Sequence, residues 1–180
     1  MKRCSVVGLT NSQETVSVAN KDSVLLSLIL PKRQENTKYG VGSFLKRANK
    51  AIQSPNIQAS ELLNLASLVY AADTRVSRLE NSQDGWTREI DIYFPVNQLD
   101  DWEPVKQELQ NILAFLTGDL WRIFFRQRDE EYAIEAPERN SDDIEQVSAI
   151  SLLSGGLDSF IGAIDLLKDE TKTIFVGHYT

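Results

Sequence analysis

Residues 147–168, VSAISLLSGGLDSFIGAIDLLK, constrain this chain more than any other stretch. Val147, Ala149, Ile150, Leu152 and Leu153 make a short, nearly continuous apolar run that suits a buried parallel strand. Phe160, Ile161, Ile164 and Leu167 then recur at helical spacing. Between the two lies SGGLDS, Ser154 to Ser159. The order predicts strand, glycine turn, helix. Thr173, Ile174, Phe175 and Val176 follow as strand formers, so residues 147–180 read as one β-α-β unit.

That order makes an anion site. Gly155 and Gly156 have no Cβ, so the backbone can turn tightly and come close to a ligand. The turn and the helix start leave amide N–H groups unpaired, and the positive end of the helix dipole adds to them. Ser154 and Ser159 add hydroxyls at the two ends of the loop. Asp158 either caps the helix or holds a cation that bridges its carboxylate to phosphates. No GK[ST] follows, so this is not a Walker loop, and no GxGxxG is present.

Ser154, Gly155, Gly156, Asp158 and Ser159 match the SGGxDS signature of PP-loop ATP pyrophosphatases, with Leu157 at the variable position. The segment resembles that family. The resemblance implies cleavage of ATP between its α- and β-phosphates with magnesium, transfer of AMP to a carboxylate or similar oxygen, and displacement of AMP by a nucleophile. It also implies that these five residues hold the pyrophosphate and that Asp158 is catalytic. A nest of N–H donors stabilises charge on a departing pyrophosphate whatever the family. One β-α-β unit is far short of a typical domain of about 100–150 residues. The expectation is therefore an N-terminal piece of a longer enzyme, incomplete and inactive alone.

The 180 residues have room for one ordinary domain plus part of another. Net charge is -7, which argues against a general nucleic-acid surface. Lys32, Arg33, Lys38, Lys46, Arg47 and Lys50 form a local basic patch, read as a solvated loop and helix face. Cys4 is the single cysteine, so no disulfide framework forms within the chain, and a buried strand position is expected. No apolar run spans a membrane and no secretory pattern appears, which reads as cytoplasmic.

Upstream, residues 4–10, 15–19 and 23–30 read as short strands forming early hairpins. Residues 31–42 read as a loop, with Gly40 and Gly42 supplying flexibility, and 43–53 as a short basic helix that Pro55 ends. Ser60 is the expected cap of a helix from Glu61 to Tyr70 or beyond. Arg75 and Arg78 either face an anion or pair with nearby carboxylates. Asp84-Gly85 signals a hairpin turn. Residues 88–96 alternate, with Ile90, Ile92 and Phe94 inward, the Arg88 end exposed, and Glu89 and Asp91 on a wet face. Asp101 is the expected cap of a helix over 102–116, with Val105, Leu109, Ile112, Leu113 and Leu116 inside and Gly118 as terminator. Residues 120–128 predict a strand with Trp121, Ile123 and Phe125 in the core; its arginines and aromatics would otherwise make a stacking platform. EYAIE predicts a further short strand, and 135–146 a linker. Together these give an α+β N-terminal domain over 1–145, an antiparallel sheet with helices on one face, followed by the start of a PP-loop domain at 146–180.

The loop and the downstream VGHYT look most like the QueC branch of the family, the 7-cyano-7-deazaguanine synthases. The approximately 150-residue extension before the loop, with AADTRVSR and GWTREIDIYFPV within it, resembles the QueC-like component of bacterial Qat anti-phage systems. The resemblance implies a 7-carboxy-7-deazaguanine-like or protein-linked carboxylate as substrate and other defence-system proteins as partners. The family's zinc-binding cysteines lie beyond the loop domain, so no metal ligand is assigned in this chain. A glutaminase is disfavoured, because Lys2 and Arg3 precede Cys4 and His178 is the only histidine. His178 ends the second strand, where ligands gather in open α/β sheets; a site role and a plain strand-end histidine both stay open. Two other classes also stay open: a protein-binding module, and a PP-loop enzyme that modifies tRNA.

Overall fold

β-branched and aliphatic runs become strands, and the longer amphipathic stretches between them become helices. The computed structural model describes residues 3–20, 23–30, 56–82, 84–134 and 147–177. The chain divides into two compact units, Met1–Glu138 and Arg139–Thr180. The basic patch at residues 32–50, the linker and His178 lie outside the described residues.

In the first unit, β1 (Cys4–Leu9) and β2 (Val24–Ile29) precede the long helix α1 (Ile57–Arg75) and the single turn α2 (Arg78–Asn81). β3 (Glu89–Val96) leads into the turn α3 (Leu99–Trp102), a 3-10 turn and α4 (Lys106–Thr117), and β4 (Leu120–Gln127) closes the unit. The strand order is β2-β1-β3-β4, and every pair is parallel. The expected antiparallel sheet is thus corrected to a parallel one in a mixed α/β unit. The physical reason is connectivity: α1 and α4 are crossovers, and a crossover returns the chain to the same strand direction. The early hairpin goes the same way, since β1 and β2 run parallel and 15–19 is not a strand.

The core lies on one face of this sheet. Val6, Ile90, Ile92, Phe94 and Val96 pack with Leu65, Leu68, Ala71 and Ala72 of α1, and Leu109 and Leu113 of α4 close the cluster. Each fully buried large apolar side chain contributes about 1.5–3 kcal/mol. Trp121 and Ile123 are buried as expected, and Phe125 is half-buried. Cys4 is buried in β1. Residues of opposite parity, Ser5, Val7, Asp91 and Tyr93, are also buried. The face expected to be wet is therefore closed as well, as parallel sheets require.

Several boundaries move. The cap of α1 is Asn56, whose Oδ1 accepts from the Ala59 amide at 2.8 Å, while Ser60 is buried inside the helix. Asp101 lies within the turn α3 and caps nothing; α4 starts only at Lys106. On that helix Ile112 and Leu116 are exposed, as is Val105 just before it. Gly118 ends α4 in the left-handed region, φ 72°, as a C-terminal glycine does. The described part of EYAIE, residues 131–134, holds the end of a 3-10 turn at Glu130–Tyr132 and no strand.

In the second unit, β5 (Ala149–Leu153) pairs in parallel with β6 (Thr173–Gly177), and α5 (Leu157–Lys168) connects them. The expected β-α-β order is present. Burial of its first strand is not: Ile150 and Leu152 are 67% and 76% exposed. Two strands and one helix cover one side of a sheet at most. Among the described residues no helix is long and apolar enough to cross a membrane.

Candidate functional site

β5 ends at Leu153 and α5 begins at Leu157, so Ser154, Gly155 and Gly156 form the whole turn between them. Gly155 has φ +83°, a conformation that costs an L-residue about 1–2 kcal/mol, and nothing lies within 4 Å of where its Cβ would be. Gly156 is the helix N-cap and offers no side-chain cap bond. The first-turn amides of Leu157, Asp158 and Ser159 therefore lack the partner that a capping side chain would supply. Asp158 sits in the first turn, not at the cap, so of its two expected roles the cap is excluded.

The two serines brace the loop. Ser154 Oγ and Ser159 Oγ lie 3.1 Å apart, and Ser159 Oγ donates to the Gly156 carbonyl at 2.9 Å. Gly156 N–H donates to Ser154 Oγ at 3.3 Å. The structure thus brings Ser154, Gly155, Gly156, Asp158 and Ser159 into one exposed, preformed turn at a helix start. Such a turn suits a phosphate oxygen.

The donor types gathered here, backbone amides and two serine hydroxyls with a carboxylate in the next helical turn, are those that phosphate and magnesium take. Among the described residues no cluster of three acidic, histidine or cysteine side chains could hold a metal alone. Magnesium is commonly held by one or two carboxylates with substrate phosphates completing its shell. Asp158, exposed in the first turn of α5, is the one carboxylate within the loop.

The other charged candidates are absorbed by the fold. Arg88 is 1% exposed and donates to Asp119 and Asp73, each at 2.6 Å, which reverses its expected exposure. Burial works to raise the Asp119 carboxyl, but the Arg88 hydrogen bonds and charge outweigh it and hold that carboxyl below its usual range. Arg78 joins the same network through Asp119 at 2.8 Å, so it pairs with a carboxylate. Glu89 binds Arg3, and Asp91 binds Arg122 at 2.6 Å; that hydrogen bond raises the Arg122 pKa. The Glu89/Asp91 pair is therefore an ion-pair lattice. The Asp84-Gly85 signal is a real turn, with Asp84 Oδ1 accepting from Trp86 N and Thr87 N, but it joins only an isolated bridge between Ser82 and Arg88.

Comparison with protein-family models, curated proteins and solved structures finds no match to this chain.

One polar cluster escaped the sequence reading. Glu14, Glu61, Arg126 and Arg128 come from the segment after β1, from α1 and from the end of β4, and gather around the carboxyl ends of β1, β3 and β4. No local spacing announces it, since its members are up to 114 residues apart in sequence, and only the strand order brings them together.

Proposed function

We propose that this chain carries the ATP-handling loop of a PP-loop, QueC-like adenylating enzyme. The observation that supports the reading most is the strand–Gly-Gly–helix turn, with its serine brace and unshared first-turn amides. ATP with magnesium is the cofactor. Ser154, Ser159 and the amides at the turn hold the pyrophosphate portion, and Asp158 holds the cation. These donors are fixed before the ligand arrives, so they stabilise charge on the leaving pyrophosphate without reorganising. AMP passes to a carboxylate or similar oxygen; a 7-carboxy-7-deazaguanine-like or protein-linked acid is the substrate class. The sequence layout supports a cytoplasmic role in bacterial anti-phage defence alongside partner proteins.

The test is pyrophosphate release from ATP and magnesium by the protein as encoded. Asp158→Ala is expected to abolish release with little loss of fold, because Asp158 is exposed in the first turn. Unchanged turnover would contradict the assignment.

A second reading, a protein-binding module, draws support from the first unit. A cleft of about 380 Å³ between α1 and α4 is lined by Leu62, Val69, Tyr70, Leu109 and Ile112. Phe115 and Leu116 beside it on α4 are 89% and 70% exposed. Contiguous exposed apolar side chains of this kind mark interaction surfaces.

A further inference from the structure

Between Leu62 and Ala72, α1 carries no charged residue, and neither does α4 between Leu109 and Thr117. The two runs lie side by side, since the cleft described above is walled by both. A quarter of the chain is charged, so burial would have to account for such runs, and it accounts only for their inner sides. Leu65, Leu68, Ala71 and Ala72 belong to the core, with Leu109 and Leu113 packed against it. On the outside Leu62, Ala66 and Tyr70 follow one another at i, i+4 spacing and are exposed. Ile112, Phe115 and Leu116 are exposed on α4. A helix face turned to water normally carries charged and polar residues.

The cleft itself suits an apolar occupant. Its polar wall groups Asp73 and Thr117 are already engaged. Asp73 accepts from Arg88 at 2.6 Å. Thr117 Oγ1 accepts from Trp121 Nε1 and donates to the Leu113 carbonyl, both at 2.8 Å. A cavity of about 150 Å³ holds benzene, so the 380 Å³ of this cleft has room for an aromatic ring with an aliphatic neighbour. Phe115 and Leu116 are such a pair, and in their own chain both are open to solvent.

Hole and knob thus lie on one face of one molecule, which is the condition for an isologous contact. Charge favours a copy over another protein. A net charge of -7 keeps copies apart over most of their surface, and this uncharged face lets them meet with no like charges opposed. A partner selected by charge would find nothing here to select it. The area is close to sufficient. Tyr70 and Phe115 expose on the order of 300 Å². Leu62, Val105, Ile112 and Leu116 roughly double that, against about 800 Å² per partner in a specific complex.

We propose that the outer face of α1 and α4 is a homodimer interface, in which Phe115 and Leu116 of each copy enter the cleft of the other. A two-fold axis beside Ile112 sets α4 antiparallel to its copy and brings Phe115 opposite the Leu109 wall. The proposal rests on the protein-binding reading above, whose partner it names, and is independent of the SGGLDS turn. An interface of this size without ion pairs is expected to hold in the micromolar range. In more dilute solution the copies separate, and the outer side of α4 then adds little to the stability of the fold.

The test is sedimentation equilibrium of the whole 180-residue chain from submicromolar to submillimolar protein. A monomer–dimer equilibrium is expected, tightened by sodium chloride, which screens the net charge. Phe115→Asp opposes charges to an apolar wall twice in each dimer. It is expected to keep the circular dichroism of the parent and to weaken the dimer at least a hundredfold. Tyr70→Asp, on the facing helix, is expected to act in the same direction and decides the matter if Phe115→Asp misfolds. Leu152→Asp, on exposed β5 of the other unit, is expected to leave the dimer intact. A chain that is monomeric at every concentration overturns the proposal. In that case binding of the hydrophobic dye ANS that Phe115→Asp removes would leave the face open to a different protein, and no such binding would remove the protein-binding reading as well. Growth past the dimer, a dimer lost in Leu152→Asp, or a dimer unchanged in Phe115→Asp equally overturns it.

Discussion

At the residue scale, the account rests on charges whose partners the sequence does not reveal. Arg88 looks like the exposed start of a strand, yet it is buried between Asp119 and Asp73 and also donates to the Val76 carbonyl at 2.6 Å. Arg88→Met leaves Asp119, itself 0% exposed at the side chain, with only Arg78 as a cationic partner. The variant should lose about 3–5 kcal/mol in urea unfolding, since breaking a buried pair strands a charge. A loss under about 1 kcal/mol, the range of exposed pairs, would show that the network is not buried in solution.

At the element scale, periodicity found the helices but not their limits. The α1 pattern of Leu62, Leu65, Leu68 and Val69 was legible, because an apolar stripe recurs at helical spacing. Its true cap, Asn56, follows Pro55 and hides in a polar stretch. Around α4 the same rule failed for three of its five residues: Leu109 and Leu113 pack, while Val105, Ile112 and Leu116 are exposed. The contrast is measurable. Leu68→Ala, at a 0% exposed position, should cost about 2–5 kcal/mol by chemical unfolding, whereas Phe115→Ala, 89% exposed, should stay within about 0.5 kcal/mol. Equal costs would mean that the exposed face of α4 is covered. The glycine turn of the second unit was the most legible element, since strand, turn and helix each follow from a few adjacent residues.

At the scale of the whole molecule, strand direction was the principal misreading. Charged residues alternating with apolar ones along β3 suggested one wet face, but Asp91 is 1% exposed and neutralised by Arg122 from the neighbouring strand. Alternation reports polarity, and a cross-strand ion pair lets polarity be buried. The cluster at the carboxyl ends of β1, β3 and β4 was invisible for a related reason, because it exists only once the strand order is known. The ion pairs also set the response to acid. The folded-state pKa of Asp119 is depressed, so its stabilisation is complete above the unfolded value of about 3.9 and is lost as pH falls through the lower folded value. Glu14 acts in the same sense: burial pushes its carboxyl up, but the Thr10 and Arg126 hydrogen bonds bring it below the usual range. Melting temperature should therefore fall as pH drops below about 4. In Asp119→Asn that fall should be shallower from a lower starting point; an unchanged acid slope would remove Asp119 from the account.

The most direct measurement is a titration of the 180-residue chain with magnesium pyrophosphate and with magnesium ATP, followed by ³¹P resonance, for the parent and for Gly155→Val. A β-branched residue at φ +83° strains the turn without meeting any neighbour within 4 Å of its Cβ, so the variant tests the loop and little else. The account predicts that pyrophosphate and ATP compete for one site in the parent and that Gly155→Val loses it. Binding that survives in Gly155→Val, or no binding in the parent, would contradict a nucleotide role for the SGGLDS turn.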